Sequence, residues 1–183
     1  AVSPTLNSPS TDDNTTTVAT GDALSTTSDT GAEDAGSFAT ATVTVADGDA
    51  ASGMTEKETI VITSTDGTEK TYCVIDDNAT TVATGAVLAA DSDIGSQVAG
   101  DDLVGAIAVA INLTGSASTQ NAFLVQLKAA IEHANGHNGK ITVSAVPTEA
   151  NGAQAITLTQ AVGGVTGNVS ITDDISQTTL AGF

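Results

Sequence analysis

The sequence predicts an α+β fold: a mainly antiparallel β-sheet of six to eight strands, one amphipathic helix packed on one face, and an extended N-terminal arm. Three features carry this expectation. One stretch, 119–135, repeats its apolar residues at the helical period. Several shorter stretches alternate apolar and polar residues at period two, as half-buried strands do. Residues 1–36 do neither.

Residues 1–36 are rich in Ser, Thr, Asp, Ala and Gly, with prolines at Pro4 and Pro9. Such a composition buries too little apolar surface to offset the entropy of ordering. The segment reads either as a low-complexity arm that lies on another subunit or as the end of a preceding, similar module. The second option comes from an internal repeat. Asp12 to Gly21 recurs as Asp76 to Gly85 with only Thr15 exchanged, for Ala79, and the match continues loosely through Ser28-Asp29 and Ser92-Asp93. Two copies are too few for a solenoid; partial duplication of a hairpin segment would also produce them. The start at Ala1 rather than Met is expected of a processed chain or of a fragment.

Residues 37–183 form the β-rich domain. Phe38–Ala46 alternates Ala41, Val43 and Val45 with Thr42 and Thr44, and Asp47-Gly48-Asp49 turns the chain. Glu58–Ser64 and Thr68–Ile75 are strands around Asp66-Gly67, a tight-hairpin signal because glycine accepts positive φ. Val82–Ala90 is expected as a further strand, and Asp91 to Asp102 as a loop. Ala106–Leu113 places Ile107, Val109, Ile111 and Leu113 on one face of a strand.

In the helix, Phe123, Leu127, Ala130, Ile131 and Ala134 form one stripe, with Gln120, Gln126, Lys128, Glu132 and His133 off it. Ser118 or Thr119 can cap its start, and Gly136 can end it in the left-handed conformation. Asn135–Gly139 is a loop. Lys140–Val146 and Gln154–Gln160 are strands joined by a turn at Pro147–Gly152. Val169–Thr172 is a last strand, and Thr179–Phe183 pairs or tucks at an edge.

Composition narrows the function. Hydrophobic content is 40%, but aromatic content is 2% with no Trp, so the core must be assembled from small aliphatic side chains. Each buries less area than Phe or Leu, and oligomerisation would be a natural supplement. Four lysines stand against 22 acids, there is no arginine, and the net charge is −18. That balance excludes nucleic acid and anionic membranes as partners, since both need cationic side chains, and it suits salty surroundings or a cationic partner. No apolar run approaches the roughly 20 residues that span a bilayer, and no signal peptide opens the chain.

Candidate chemistry is sparse. Cys73, the single cysteine, excludes an internal disulfide and lies in an apolar strand pattern, as a buried inert thiol would. His133 and His137 share the i, i+4 spacing of a helical metal site, with Glu132 beside them, but Gly136 intervenes and no third ligand is evident. Exposed histidines at a helix C-terminus are the expectation. Asp47, Asp49, Asp76, Asp77, Asp91 and Asp93 are weak candidate Ca²⁺ ligands, because Asp-rich turns offer oxygen donors. None follows the EF-hand pattern, and Asp and Asn are ordinary turn residues. There is no nucleophile elbow, phosphate loop or dinucleotide fingerprint, so neither a catalytic site nor a cofactor is expected. Four N-glycosylation sequons, at Asn14, Asn78, Asn112 and Asn168, are matches that an Asn- and Thr-rich chain produces by chance.

Several short motifs carry a resemblance. They are Thr59-Ile60-Val61-Ile62-Thr63 with Asp66-Gly67-Thr68 and Tyr72, then Leu127-Lys128-Ala129-Ala130-Ile131 and Ile141-Thr142-Val143. Ile156-Thr157-Leu158-Thr159-Gln160 follows, leading into Gly164-Val165-Thr166-Gly167-Asn168, and the stretch ends on Leu180-Ala181-Gly182-Phe183. Over Thr42 to Phe183 the chain resembles a domain found in structural proteins of tailed bacteriophages, marine ones in particular. Such domains often continue into a Gly-rich tail, so truncation is a further expectation here. The resemblance implies a non-enzymatic capsid-decoration, neck, tail or fibre component in the virion, an extracellular particle. Its partners would be copies of itself in a homo-oligomer and other virion proteins. The alternative is a bacterial cell-surface or adhesin module stabilised by Ca²⁺. A sugar-binding fibre domain is disfavoured, because Tyr72, Phe38, Phe123 and Phe183 are few for a stacking platform.

Overall fold

The computed structural model describes residues 10–11, 17–18, 37–46, 53–89, 103–113, 120–148 and 152–183. The chain divides into two compact units, Ala1–Ser37 and Phe38–Phe183. In the first, β1 (Ser10–Thr11) pairs antiparallel with β2 (Thr17–Val18). The second is α+β; its described residues form eight strands in two four-stranded sheets, one α-helix and a short 3-10 turn at Val165–Gly167.

The strands are β3 (Thr40–Val45), β4 (Thr59–Thr63), β5 (Glu69–Asp76), β6 (Ile107–Ile111), β7 (Ile141–Val143), β8 (Gln154–Gln160), β9 (Ile171–Asp173) and β10 (Thr178–Gly182). The helix α1 covers Gln120–Glu132. One sheet has the order β10-β3-β8-β7 and is antiparallel throughout. The other, β6-β5-β4-β9, is mixed, because β6 runs parallel to β5.

Each sheet has an apolar face that must leave water, and the two share one core. Ala41, Val43 and Val45 of β3 and Ile156 and Leu158 of β8 cluster with Ile60, Ile62, Tyr72, Val74, Ile107, Val109 and Ile111 from the other sheet. Strand alternation therefore reports a two-sheet core, where the sequence suggested one sheet under a helix. Phe123, Leu124, Leu127, Ala130 and Ile131 of α1 join the same cluster. The helix packs on β6, β7 and β8. It thus bridges the β6 edge of one sheet and the β7 edge of the other, rather than lying on one face. The helical stripe is corrected accordingly: Leu124 is fully buried, and Ala134 is exposed beyond the helix end.

A smaller second core lies on the outer side of the mixed sheet. Cys73, Ile75, Ala106, Ala108 and Ala110 are covered there by Leu88, with Val82 and Leu103 packed against them. The covering segment is the stretch expected as a strand over Val82–Ala90. It makes only an isolated bridge, Val87 to Ile107. The reason is local. Ala86 N donates to Ala83 O in a turn, Gly85 has φ +86, and Thr84 Oγ1 rather than a backbone carbonyl accepts from Ala110 N at 3.0 Å. Beyond that turn the segment does follow β6: Gly85 N and Leu88 N donate to Ala108 O and Ala106 O, and Ala86 O accepts from Ala108 N. Strand β6 is consequently buried on both faces, as strands in parallel pairings usually are.

At the β4–β5 hairpin, Ser64 N donates to Thr68 O, Gly67 N donates to Ser64 O, and Gly67 has φ +80, so the loop is Thr65–Gly67 with the glycine at the positive φ expected of it. At the helix end, Gly136 is not left-handed; Gly139 is, at φ +74. Glycine is needed at 136 for room, because a Cβ there would lie 2.2 Å from Ala130 O and 2.6 Å from Ile131 O. The asserted helix caps Ser118 and Thr119, the Asp47–Asp49 turn and the Asp91–Asp102 loop lie outside the described residues. Among the described residues, no helix is long and apolar enough to cross a membrane.

Gly136→Ala is expected to destabilise the domain by about 1–3 kcal/mol, the usual cost of forcing atoms into filled space. Urea unfolding checks this; an unchanged midpoint would show that the helix end relaxes freely.

Candidate functional site

Two polar residues that break the apolar phase of their strands, Ser64 and Gln160, meet at one end of the domain; a third, Gln154, lies at the other end of β8 and donates to Thr148 O. Ser64 and Gln160 are inward-phase positions after Ile60 and Ile62, and after Ile156 and Leu158, and both are buried. Gln160 Oε1 accepts from Thr65 N at 3.1 Å, and its Nε2 donates to Thr63 O at 2.9 Å. One side chain from the antiparallel sheet thus holds the hairpin tip of the mixed sheet. Ser64 Oγ donates to Asp66 Oδ1 at 2.6 Å, and the same oxygen accepts from Thr68 N at 3.0 Å.

The other side of this hairpin is held by the chain leaving α1. His137 N donates to Ile131 O at 2.7 Å, which closes the helix and turns the imidazole inward. His137 is fully buried, against the expectation of an exposed helix-end histidine. Its Nε2 lies 3.1 Å from Thr68 O, and its Nδ1 2.7 Å from Tyr72 Oη. A carbonyl can only accept, so Nε2 carries the proton, and the tyrosine hydroxyl donates to Nδ1. The imidazole is neutral. Burial holds its pKa below the ordinary histidine value; the hydrogen bond to Thr68 works the other way, and Lys140 and Lys70 add to the lowering. Burial likewise pushes the Tyr72 phenol well above its usual range. Lys140 Nζ completes the group, donating to Thr68 Oγ1 at 2.6 Å and pairing with Asp66 Oδ2 at 2.7 Å. Lys140 is the first cause of a depressed Asp66 pKa, with Ser64 and Thr68 next. The Asp66–Lys140 pair is exposed, so solvent screens it and its worth is small.

This constellation has the residue types of an acid–base site and the geometry of a fastening. Both imidazole nitrogens are engaged, and the hydroxyl beside them is buried and not acidified. His133 does not join it: it is exposed, and its Nδ1 accepts from Asn135 N at 3.2 Å. Glu132 is exposed and pairs with Lys128 at 2.5 Å along the helix. Cys73 is buried as the sequence suggested, and burial pushes its thiol up to about 12, with Asp174 and Glu56 adding to the effect.

Of the candidate Ca²⁺ ligands, Asp47, Asp49, Asp91 and Asp93 lie outside the described residues. Asp76 Oδ1 accepts from Asn78 N at 3.1 Å and Leu113 N at 3.2 Å, the work of a turn residue. Asp77 is exposed beside it. Among the described residues, no group of three or more His, Cys, Asp or Glu side chains is placed to hold a metal.

Among the described residues, the most extended regular outward surface of the antiparallel sheet is its Thr- and Ala-lined face. Across the register, Thr142, Thr159 and Thr40 form one row, Thr157, Thr42 and Ala181 a second, and Ala155, Thr44 and Thr179 a third. These nine outward positions carry no charge, although the chain holds 22 acids. Compared with protein-family models, curated proteins and solved structures, the chain matches none.

The neutral His137 gives a pH dependence of definite sign. Unfolded histidine takes up a proton near pH 6.5, whereas the folded imidazole resists it to lower pH. The stabilisation is complete above the unfolded value and is lost as pH falls from there through the folded pKa. Unfolding free energy of the wild type should therefore drop between about pH 7 and pH 5. In His137→Gln the histidine part of that slope should vanish. Equal slopes in the two proteins would contradict the buried neutral assignment.

Proposed function

We propose that the chain is a non-enzymatic structural subunit of a bacteriophage virion, serving as a capsid-decoration, neck, tail or fibre component through subunit packing. One observation carries this reading. His137 and Tyr72, the described pair with most acid–base potential, fasten the helix exit to the mixed sheet, and Gln160 fastens the two sheets to each other, while the outer face of the antiparallel sheet is uncharged Thr and Ala. A surface of that kind suits contact between subunits better than turnover of a small molecule. The sequence resemblance over Thr42 to Phe183 points the same way, and so does the thin aliphatic core, which gains from burial against neighbours. The acidic remainder keeps such a particle soluble in salt water.

The test is location. Mass spectrometry of purified particles should find the chain at a fixed copy number, and labelled antibody should mark one part of the virion in electron micrographs. Its absence from particles would end the proposal. Removal of residues 1–36 tests the arm: reduced particle incorporation is expected, and undiminished incorporation would assign assembly to residues 37–183 alone. A calcium-stabilised adhesin is separated from this reading by melting in calcium and in chelator. The virion reading expects little shift in Tm, the adhesin a large one.

A further inference from the structure

The four sheet edges of the Phe38–Phe183 unit are not equally protected. Strand β6 is covered along its free side by residues 84–88, which take its outward backbone groups. Strand β7 is three residues long; Ile141 N is bonded to His137 O, and Val143 O accepts from Lys128 Nζ. Strand β9 is also three residues long and ends on Asp173, with Asp174 next to it. Short length, coverage and charge are the ordinary means of keeping an edge from pairing with another chain.

Strand β10 has none of these among the described residues. It is five residues long, Thr178–Gly182, with neither charge nor proline. The bonds Ala46 N to Gln177 O and Phe183 N to Thr40 O fix which of its groups face β3. By alternation, the N–H and C=O of Leu180 and Gly182, and the C=O of Thr178, point away from the sheet. Thr178 N is already bonded to Ile175 O. Thr179 and Ala181 present exposed side chains on the outer face, and Leu180 is only partly buried against the core.

We propose that β10 is a self-association edge, pairing antiparallel with β10 of a second copy about a two-fold axis through Leu180. Such pairing joins two four-stranded sheets into one of eight. The geometry is self-complementary. With Leu180 opposite its symmetry mate, each Leu180 N–H meets the other's C=O, and each Gly182 N–H meets Thr178 C=O across the axis. The pairing also shields the half-buried Leu180. Charge selects the occupant. Two chains of net charge −18 repel over most approaches, but β10 and its outward neighbours Thr42 and Thr44 carry no charge of their own; the carboxylate beside the strand, Asp173, accepts from Thr178 Oγ1 at the strand's start, away from the Leu180 axis. This deepens the building-block reading, and depends on it only for the use to which the contact is put.

The register makes a charge-exchange test possible, because Thr179 would stand directly across from Ala181 of the other copy. Full-length Thr179→Lys/Ala181→Lys and Thr179→Glu/Ala181→Glu chains each place like charges opposite one another twice. Sedimentation equilibrium should show a wild-type dimer and at least about tenfold weaker association in either variant. An equimolar mixture of the two variants should recover the dimer. Both side chains point outward, so the fold should persist, with far-UV circular dichroism as the check. On the wild type alone, hydrogen exchange at the Leu180 and Gly182 amides should slow as protein concentration rises. A monomer at every concentration, or a dimer that both variants leave intact, overturns the proposal. So does a dimer lost only when residues 1–36 are removed, which would move the contact to the arm. A β10 dimer from a protein absent from particles would sink the virion reading and leave this one standing.

Discussion

Two sheets, the antiparallel one apolar on its inner face and the mixed one on its inner face and part of its outer face, have to share a core made almost without aromatic rings. This constraint explains most of the domain. Valine, isoleucine and alanine side chains are short, so the sheets must meet closely. Their twist then leaves the space between them open at the sides. Helix α1 closes one side. It supplies Phe123, Leu124, Leu127 and Ile131 where the β6 and β7 edges lie. On the opposite side β9 and β10 approach each other through a short connection, with Ile171, Leu180 and Phe183 only partly buried between water and core.

Apolar contact alone would hold the sheets together without fixing how one sits over the other. The buried hydrogen bonds do that. Gln160 reaches from β8 to two backbone groups of the β4–β5 hairpin, and His137 reaches from the helix end to Tyr72 and Thr68. A slip of either sheet by one residue would strand these groups without partners, at a cost comparable to the lost bonds plus desolvation. The Gly136 constriction serves the same end, because it is what lets the chain turn sharply enough for His137 to point inward. Of the residues singled out for chemistry in the sequence, His137 is accounted for by registry between layers.

Much of this was legible beforehand, and the boundary of legibility has a physical meaning. Period-two alternation located β3, β4 and β8, the last at Gln154–Gln160 to the residue, because each has one face in the core and one in water. Alternation says that a strand is one-sided but not which sheet it joins, so two sheets read as one. The parallel β5–β6 pair was hidden for a related reason. Its signature is burial on both faces, and in Ile107–Ile111 the second face is alanine, which counts weakly as apolar. Leu124 lay just off the stripe because a helix wedged between two sheets buries a wider arc than one lying on a single sheet. His137 was expected at an exposed helix end and is fully buried. Its partners Tyr72 and Thr68 are more than 60 residues away, and no local pattern reports them. The inward-phase polar residues Ser64 and Gln160 were the available signal: a polar side chain in an apolar phase must have a buried partner.

The distribution of charge follows from the same layering. Acids cannot enter a core this thin, and they are also missing from the outer face of the antiparallel sheet, where threonine and alanine stand in registered rows. Threonine there satisfies two demands at once. Its branched side chain favours the extended backbone, and its hydroxyl keeps the face wettable. A chain with 22 acids and only four lysines repels its own kind at long range, and salt shortens the reach of that repulsion to about 8 Å at physiological strength. Under those conditions contact between copies is governed by whatever neutral surface they can bring together. The threonine face and the adjoining β10 edge are continuous, so a strand added at that edge, as proposed, would extend an uncharged face and meet a carboxylate only at the Thr178 end, where Asp173 is bonded. Long-range repulsion and a neutral border are compatible features of a single chain, each set by a different layer of it.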